Sequence, residues 1–429
     1  VFFNRRVPFF VRESYLYDSK SALLWGAFWG LSLAFFPVIA RKIGASSFQI
    51  ALLTSAPFLG SLFSLYWSRL STRTGKMKFF ILVKILARAT IFLMFFAIKP
   101  WIFIAVVFLN ALLEQAGSPA YTGIMKEIYP DSFRGRVMGY VAGQQGISAI
   151  IACYLTGFLL DRMSYRILFP VAAIIGIFSL AYFGKIKTKN ENKIENPKKQ
   201  GVIPLEARDV FRKDRSFFHY SLVFFVYGFG GLLAMPLYPL FLVDVLHVSN
   251  TLMGKLASIS SFFWMLSYFF WGRYIDEKGE IKSFIIAFLL ASLIPLFYAI
   301  SFNLWFIVLA SVISGFNIGS ELVRINYIAK IAKHEDVQTY QAIDFSLMGI
   351  RGITAPFLGV ALMNLFGIRV ALLISFVVSL VAFVLMSWFA THYSGQGMRN
   401  VLASRMRKVR EVSPRTPVGV GGKPTGRRS

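Results

Sequence analysis

The chain reads as a succession of long apolar stretches split by short polar breaks. A helix needs about 20 apolar residues to cross a hydrocarbon core roughly 30 Å thick. No water reaches the backbone there, so each stretch must satisfy its own hydrogen bonds and reads as helix. The pattern predicts about twelve spans, over 21–40, 48–68, 79–97, 101–125, 137–160, 166–185, 218–241, 251–271, 283–301, 303–328, 340–363 and 368–391. The ~10-residue alternating segments of a transmembrane β-barrel are missing from it. The expected fold class is all-α integral membrane.

The breaks also divide the chain. Residues 185–217 are rich in Lys, Asn and Glu and hold two prolines. They predict a cytoplasmic linker between a six-helix bundle over 1–184 and a second over 218–391. Residues 392–429 form a basic tail. Within it Met398, Val401, Leu402, Met406, Val409 and Val412 recur at helical spacing among Arg399, Arg405, Arg407, Lys408 and Arg410. That pattern suits a helix lying on anionic membrane lipid. The end of the tail is Pro/Gly-rich, a composition that favours disorder. Its GGKPT run is not a phosphate loop, since Pro417 replaces the first glycine and Pro424 follows the lysine.

Of 429 residues 56% are hydrophobic, and the formal net charge is +26. In a soluble protein such a charge would point to nucleic acid. Here most cations fall on the side holding both termini, and only Arg41, Lys42, Lys99, Arg162, Arg166 and Arg369 lie opposite. Cationic loops stay cytoplasmic, so the expectation is a cytoplasmic (inner) membrane protein with both termini inside and no nucleic-acid partner. The first apolar stretch reads as a span rather than a cleavable signal. Cys153 is the single cysteine, and His219, His247, His334 and His392 are scattered near span edges. Neither a disulfide framework nor a metal site is expected, and no cofactor. An enzyme would need acids, histidines or cysteine gathered at one membrane face, and the sequence offers no such cluster.

The most informative feature is a repeat. After the second span the chain has Trp67, Arg69, Gly75, Lys78 and Phe80; after the eighth it has Trp271, Arg273, Gly279, Lys282 and Phe284, a shift of 204 (271 − 67). Asn110 and Glu114 in the fourth span recur as Asn317 and Glu321 in the tenth, a shift of 207 (321 − 114). Parallel repeats of six spans are one way to build a transporter.

At these residues the chain resembles the major facilitator superfamily, whose loop signature is Gly-x-x-x-Asp-Arg/Lys-x-Gly-Arg/Lys. The second half supplies Gly272, Asp276 and Gly279, with Glu277 and Glu280 at the basic positions. The first half supplies Arg73, Gly75 and Lys76, with Ser68 and Thr72 in place of glycine and aspartate. The segment from Pro119 to Gly139, with Pro130, Arg134, Gly135 and Arg136, is similar to the family's loop between spans four and five. The fourth span lacks the arginine, and the fifth the proline run, that the family's drug/proton antiporters carry. The resemblance implies two pseudo-symmetric bundles. In them spans 1, 4, 7 and 10 line a central cavity, 2, 5, 8 and 11 flank it, and 3, 6, 9 and 12 are peripheral.

Charges buried in hydrocarbon cost about 2.5–3.5 kcal/mol each and need a reason. Glu114, Glu321, Arg324 and Arg351, with Asn110 and Asn317, are expected to face that cavity and handle solute or coupling ion. Lys84 and Arg88, on peripheral span three, are expected to snorkel or pair outside it. A gate is expected at Arg69, Arg73, Gly75, Lys78, Arg273, Asp276, Gly279 and Lys282, with Asp344 meeting Arg69 or Arg73 when the protein faces outward. The function expected is a monomeric secondary transporter moving a small-molecule substrate by alternating access and coupled to protons, with Glu114 as the coupling acid. The alternative is a protein of this fold that handles lipid or acts as a sensor or assembly partner without flux.

Overall fold

The computed structural model describes residues 9–188, 203–332 and 337–412. Twelve helical elements carry the architecture. In chain order they are α1 Phe10–Lys42, α2 Ser47–Leu62 with Tyr66–Thr74, α3 Lys76–Phe96, α4 Pro100–Ile128, α5 Val137–Leu160, α6 Tyr165–Phe183, α7 Arg215–Val245, α8 Asn250–Lys278, α9 Glu280–Ala299, α10 Leu304–Ile328, α11 Thr339–Phe366 and α12 Ile368–His392. Ten of them are long and apolar enough to cross a membrane among the described residues, and α2 makes an eleventh if its halves, bent by 60°, are one span. The α8 helix has the length, 29 residues, but serines and polar-edged rings along it keep it below that apolarity. The twelfth predicted span is thus present as a helix of lower hydropathy. A short amphipathic helix, Ile203–Lys213, precedes α7 and packs on α7 and α11. The predicted linker stretch 189–202 and the tail end 413–429 lie outside the described residues, while the backbone of α12 continues helical to Val412.

Local chemistry repeats with the sequence. Ser46 and Ser249 each cap the next helix by accepting a backbone N–H three residues on, from Gln49 and Leu252. Gly75 and Gly279 join α2 to α3 and α8 to α9 at φ of 91° and 80°. Only glycine takes that conformation without a Cβ clash, which is why the repeat keeps it. Trp67 Nε1 donates to Gly60 O at 3.3 Å, while Trp271 Nε1 crosses to Phe316 O on α10 at 3.0 Å.

Besides the bent α2, the helices α1, α4, α7 and α10 are broken among the described residues. In α1 the helix stops at Leu31 and resumes at Phe36, with Pro37 in the new first turn. In α7 it stops at Ala234 before Pro236, and ends in a π turn over Phe241–Val245. In α4 Pro119 opens a second segment, Ser118–Ile128, and in α10 Gly319 and Ser320 separate Ile318 from Glu321. Proline has no N–H to continue the ladder and is best accommodated in a first turn, as at Pro37 and Pro119.

The first six helices pack on one another, as do the last six, and two seams join the sets: α5 against α8 and α2 against α11. The α5–α8 seam is a backbone-to-backbone approach. A Cβ added at Gly157 would stand 2.8 Å from Gly254 Cα, which leaves no room for any side chain. Farther along, Ser258 donates to Ile150 O at 2.9 Å and Gly146 lies against Met265. On the other seam Phe48 meets Phe357, and Gly349 and Gly352 take Leu62 and Phe58. Both seams include the end remote from the start of α1, here the far end, where Gly157 meets Gly254 and Phe48 meets Phe357.

The buried apolar residues follow the same division. One cluster at the far end is shared by both sets, with Phe36, Phe103 and Phe169 beside Phe241, Ile307 and Leu372. At the near end there are two clusters. One holds Phe80, Ile124 and Phe183 of the first set; the other holds Tyr220, Phe284 and Phe389 of the second.

Candidate functional site

The broken helices put polar groups at mid-depth, where an unbroken helix would offer only side chains. In the first set Glu114 lies three residues before the break at Gly117. Lys84 Nζ donates to Glu114 Oε2 at 2.6 Å and to the backbone oxygen of Glu114 at 2.9 Å. Arg88 Nη1 pairs with Glu114 Oε1. The guanidinium lies over the Phe28 ring at 4.2 Å and against Gly176, fully buried. Its Nε and Nη2 meet no acceptor among the described residues.

Of the two expectations for Lys84 and Arg88, snorkelling or pairing with a neighbour, the structure shows the pair, and the neighbour is Glu114. Peripheral α3 packs against α4 closely enough for two long side chains to reach the one carboxylate between them. Both line a cavity of about 430 Å³ within the first set, together with Asp18, Trp25, Tyr121 and Gln145. Asp18 was not singled out from sequence, because it precedes the predicted first span. The helix of α1 starts at Phe9, which draws Asp18 inward until it is buried. Tyr129 donates to its Oδ2 at 2.9 Å, and it enters no ion pair among the described residues.

Asn110 is also placed differently from its expected cavity-facing position. It is buried and donates from Nδ2 to Ala87 O on α3 at 2.7 Å, a tie between two helices. Its repeat partner Asn317 donates to the Tyr227 hydroxyl on α7 at 3.2 Å.

In the second set Glu321 opens the second segment of α10, at a helix N-terminus whose dipole favours a carboxylate. Arg324 Nε donates to Glu321 Oε1 at 2.9 Å, and Nη1 pairs with Asp344 of α11. Asp344 is buried there, paired within its own set in this state. A buried carboxylate takes the nearest buried cation, and Arg324 is inside the same set. Arg351 donates from Nη1 to Phe224 O, and its guanidinium lies 5.1 Å from the Phe224 ring, filling the notch left by Gly228. Each set thus gathers two acids and two cations: Asp18, Glu114, Lys84 and Arg88 in one, and Asp344, Arg324, Arg351 and the half-exposed Glu321 in the other.

The expected gate residues lie at the near end. Arg69, Arg73, Lys78, Arg273, Asp276 and Lys282 are exposed. Arg273 Nε donates to Glu277 Oε1 at 2.6 Å, and Lys330 Nζ to Glu280 Oε2 at 2.7 Å, each pair within the second set.

At the far end polar contacts cross between the sets. Arg41 pairs with Asp244 at 2.8 Å, and Lys42 Nζ donates to Asn250 Oδ1 at 2.7 Å. Asp161, just past α5, accepts from the backbone N–H groups of Asn250 and Thr251 at 3.1 and 2.9 Å, and from the Thr251 hydroxyl at 2.6 Å. What burial Asp161 has pushes its carboxyl up, but these donors outweigh it and hold the group below the usual carboxylate range. Sequence reading passed over Asp161 because a single acid in a short loop carries no signal.

The fold is similar to solved transporters. The nucleoside transporter NupG, solved as a single-residue variant, superposes with a TM-score of 0.72 at 12% identity over 88% of this chain and 99% of that one. A bacterial homologue of the human lysosomal transporter Spinster, in an inward-facing and unoccupied conformation, gives 0.61 at 15% identity over 90% and 98%. None of the curated proteins matches the sequence. The family model of the Major Facilitator Superfamily matches residues 21–322 and again 220–413. This multi-pass membrane protein, a transporter by fold, belongs to the Major Facilitator Superfamily.

Proposed function

We propose that the chain is a secondary transporter, a carrier and not an enzyme, held here open toward the near end. The observation that carries this reading is the division of the apolar core. One shared cluster and two seams close the far end, while each set has its own cluster at the near end. Closed packing at one end and separate bundles at the other is one of the two states that alternating access requires. The cation asymmetry supports a cytoplasmic near end in the inner membrane, so the state is inward-facing. A small solute would enter between α1, α4, α7 and α10.

Proton coupling is retained, but with a different part for Glu114. A coupling carboxyl has to lose its charge during the cycle, and Lys84 and Arg88 oppose that in this state. We read Glu114 as the anchor that keeps two cations in the first set, and Glu321, half exposed and met by one cation, Arg324, where Glu114 is met by two, as the coupling group.

The test uses purified protein in liposomes, with Cys153→Ala and a cysteine pair replacing Asp161 and Thr251. Transport over a solute library should stop when that far-end pair is oxidised and return on reduction. Flux that persists with the pair closed would overturn alternating access. Absence of flux for every solute, with and without a pH gradient, would favour the sensor reading. Orientation is read separately: a cysteine replacing exposed Lys187 should resist an impermeant reagent added outside intact cells.

A further inference from the structure

The cavity inside the first set has an uneven charge distribution. At one end Lys84 and Arg88 share the single carboxylate of Glu114, leaving an excess of one positive charge. At the other end Asp18 supplies one negative charge with no cation beside it. Arg88 lines this space, and its Nε and Nη2 are buried without an acceptor among the described residues. An unmet buried donor costs free energy that an arriving acceptor would recover. The walls between are Trp25, Phe80, Tyr121 and Phe183, flat faces suited to an apolar or aromatic body.

We propose that this cavity binds a small zwitterion, its anionic group on Arg88 and Lys84 and its ammonium on Asp18. The inference rests on the transporter reading and names its substrate class. Charge balance supports it over a simple ion. Asp18, Glu114, Lys84 and Arg88 sum to zero, and only a ligand of no net charge leaves them so in a medium where unbalanced charge is expensive. The charges must stand well apart. Arg88 sits at the level of Phe28, ten residues beyond Asp18 on α1, about 15 Å along the axis at 1.5 Å per residue. Lys84, one turn nearer, shortens the gap. An α-amino acid carries both charges on one carbon and is too short, whereas a dipeptide or a longer amino acid spans more of it. The titratable neighbours of Asp18 are Tyr15 on its own helix, Tyr121 of α4 and Tyr129 just past it; Tyr129 donates to the carboxylate, and none of the three carries charge near neutrality.

Binding to purified protein in nanodiscs, read by calorimetry, separates the alternatives with three matched probes: glycylphenylalanine, its N-acetyl derivative and its C-terminal amide. These differ only in being zwitterion, anion and cation. The zwitterion should bind at least tenfold more tightly than either singly charged form. Asp18→Asn should remove its advantage over the N-acetyl form, and Arg88→Lys should weaken both. Equal binding of zwitterion and anion, a ratio unmoved by Asp18→Asn, or no binding by any probe would overturn the proposal. Anion binding that strengthens tenfold from pH 7.5 to 5.5 in the parent but not in Asp18→Asn would also overturn it, giving Asp18 a proton in place of an ammonium. Binding without flux would remove the transport reading and leave this one standing; flux of other solutes without binding would do the reverse.

Discussion

Asp161 and Thr251, 90 positions apart, meet across the far end: the carboxylate of one takes both the backbone N–H and the hydroxyl of the other. The bond places a negative charge on the first turn of α8, where unpaired N–H groups and the helix dipole receive it. One set of helices thereby caps a helix of the other, so opening the far end uncaps it.

Asp161→Asn is therefore expected to shift the protein toward the far-end-open state. The loss of one cap interaction corresponds to a change of about threefold or more in the ratio of states. Spin-label distances across the far end measure it, and an unchanged distribution would remove Asp161 from the latch. Acid should act on the same bond only late. The latched carboxyl lies below its ordinary value of 3.8, so the latch is complete above that value and is lost as pH falls through the depressed one. Distances recorded at pH 7.5 and pH 5 should coincide.

The glycine crossing gives a steric counterpart. Gly157→Val has no space against Gly254 and should force the α5–α8 seam apart, opening the far end even with the latch residues intact. Gly146→Ala meets only the flexible Met265 side chain at 3.1 Å and should be nearly silent. Equal behaviour of the two variants would show that backbone contact does not set the seam.

Glu114→Gln leaves Lys84 and Arg88 buried without a counter-charge. Breaking a buried pair from one side costs about 3–5 kcal/mol, so a clear drop in thermal midpoint is expected. Adding Arg88→Met should recover part of it, since the orphaned charge goes with it. A double variant no more stable than Glu114→Gln would mean that solvent or lipid already compensates Arg88.

The second set should show the same logic with different partners. Arg324→Met strands Asp344 and Glu321, but Glu321 is half exposed and Asp344 is not. Asp344→Asn should therefore rescue Arg324→Met in thermal unfolding, and Glu321→Gln should not. Rescue by Glu321→Gln alone would place the buried imbalance on the wrong acid.

How much of this was legible in the chain depends on the range of the interaction. Spans, repeat and turns are local. Apolar length, serine before a helix and glycine where φ is positive act over a few residues, and Ser46 with Ser249 or Gly75 with Gly279 could be matched by offset alone. The charges inside the membrane were legible too, because each is costly wherever it sits. What each one touches was not. Helical period gives the face a residue occupies on its own helix and says nothing of which neighbour that face meets. Lys84 and Arg88 read as peripheral on α3, yet the close packing of α3 on α4 brings both to Glu114. Asp344 read as a gate partner in the outward-facing state; that α11 sets it beside Arg324 in this state could not be read from the helix alone. Asp18 fell before the predicted span, because apolarity marks where a helix enters hydrocarbon and not where its hydrogen-bond ladder begins. The sequence by itself determined the number and order of helices and which charges had to be buried; only the packing of helices far apart in the chain decided their pairing, because Coulomb and steric energies depend on distance in space.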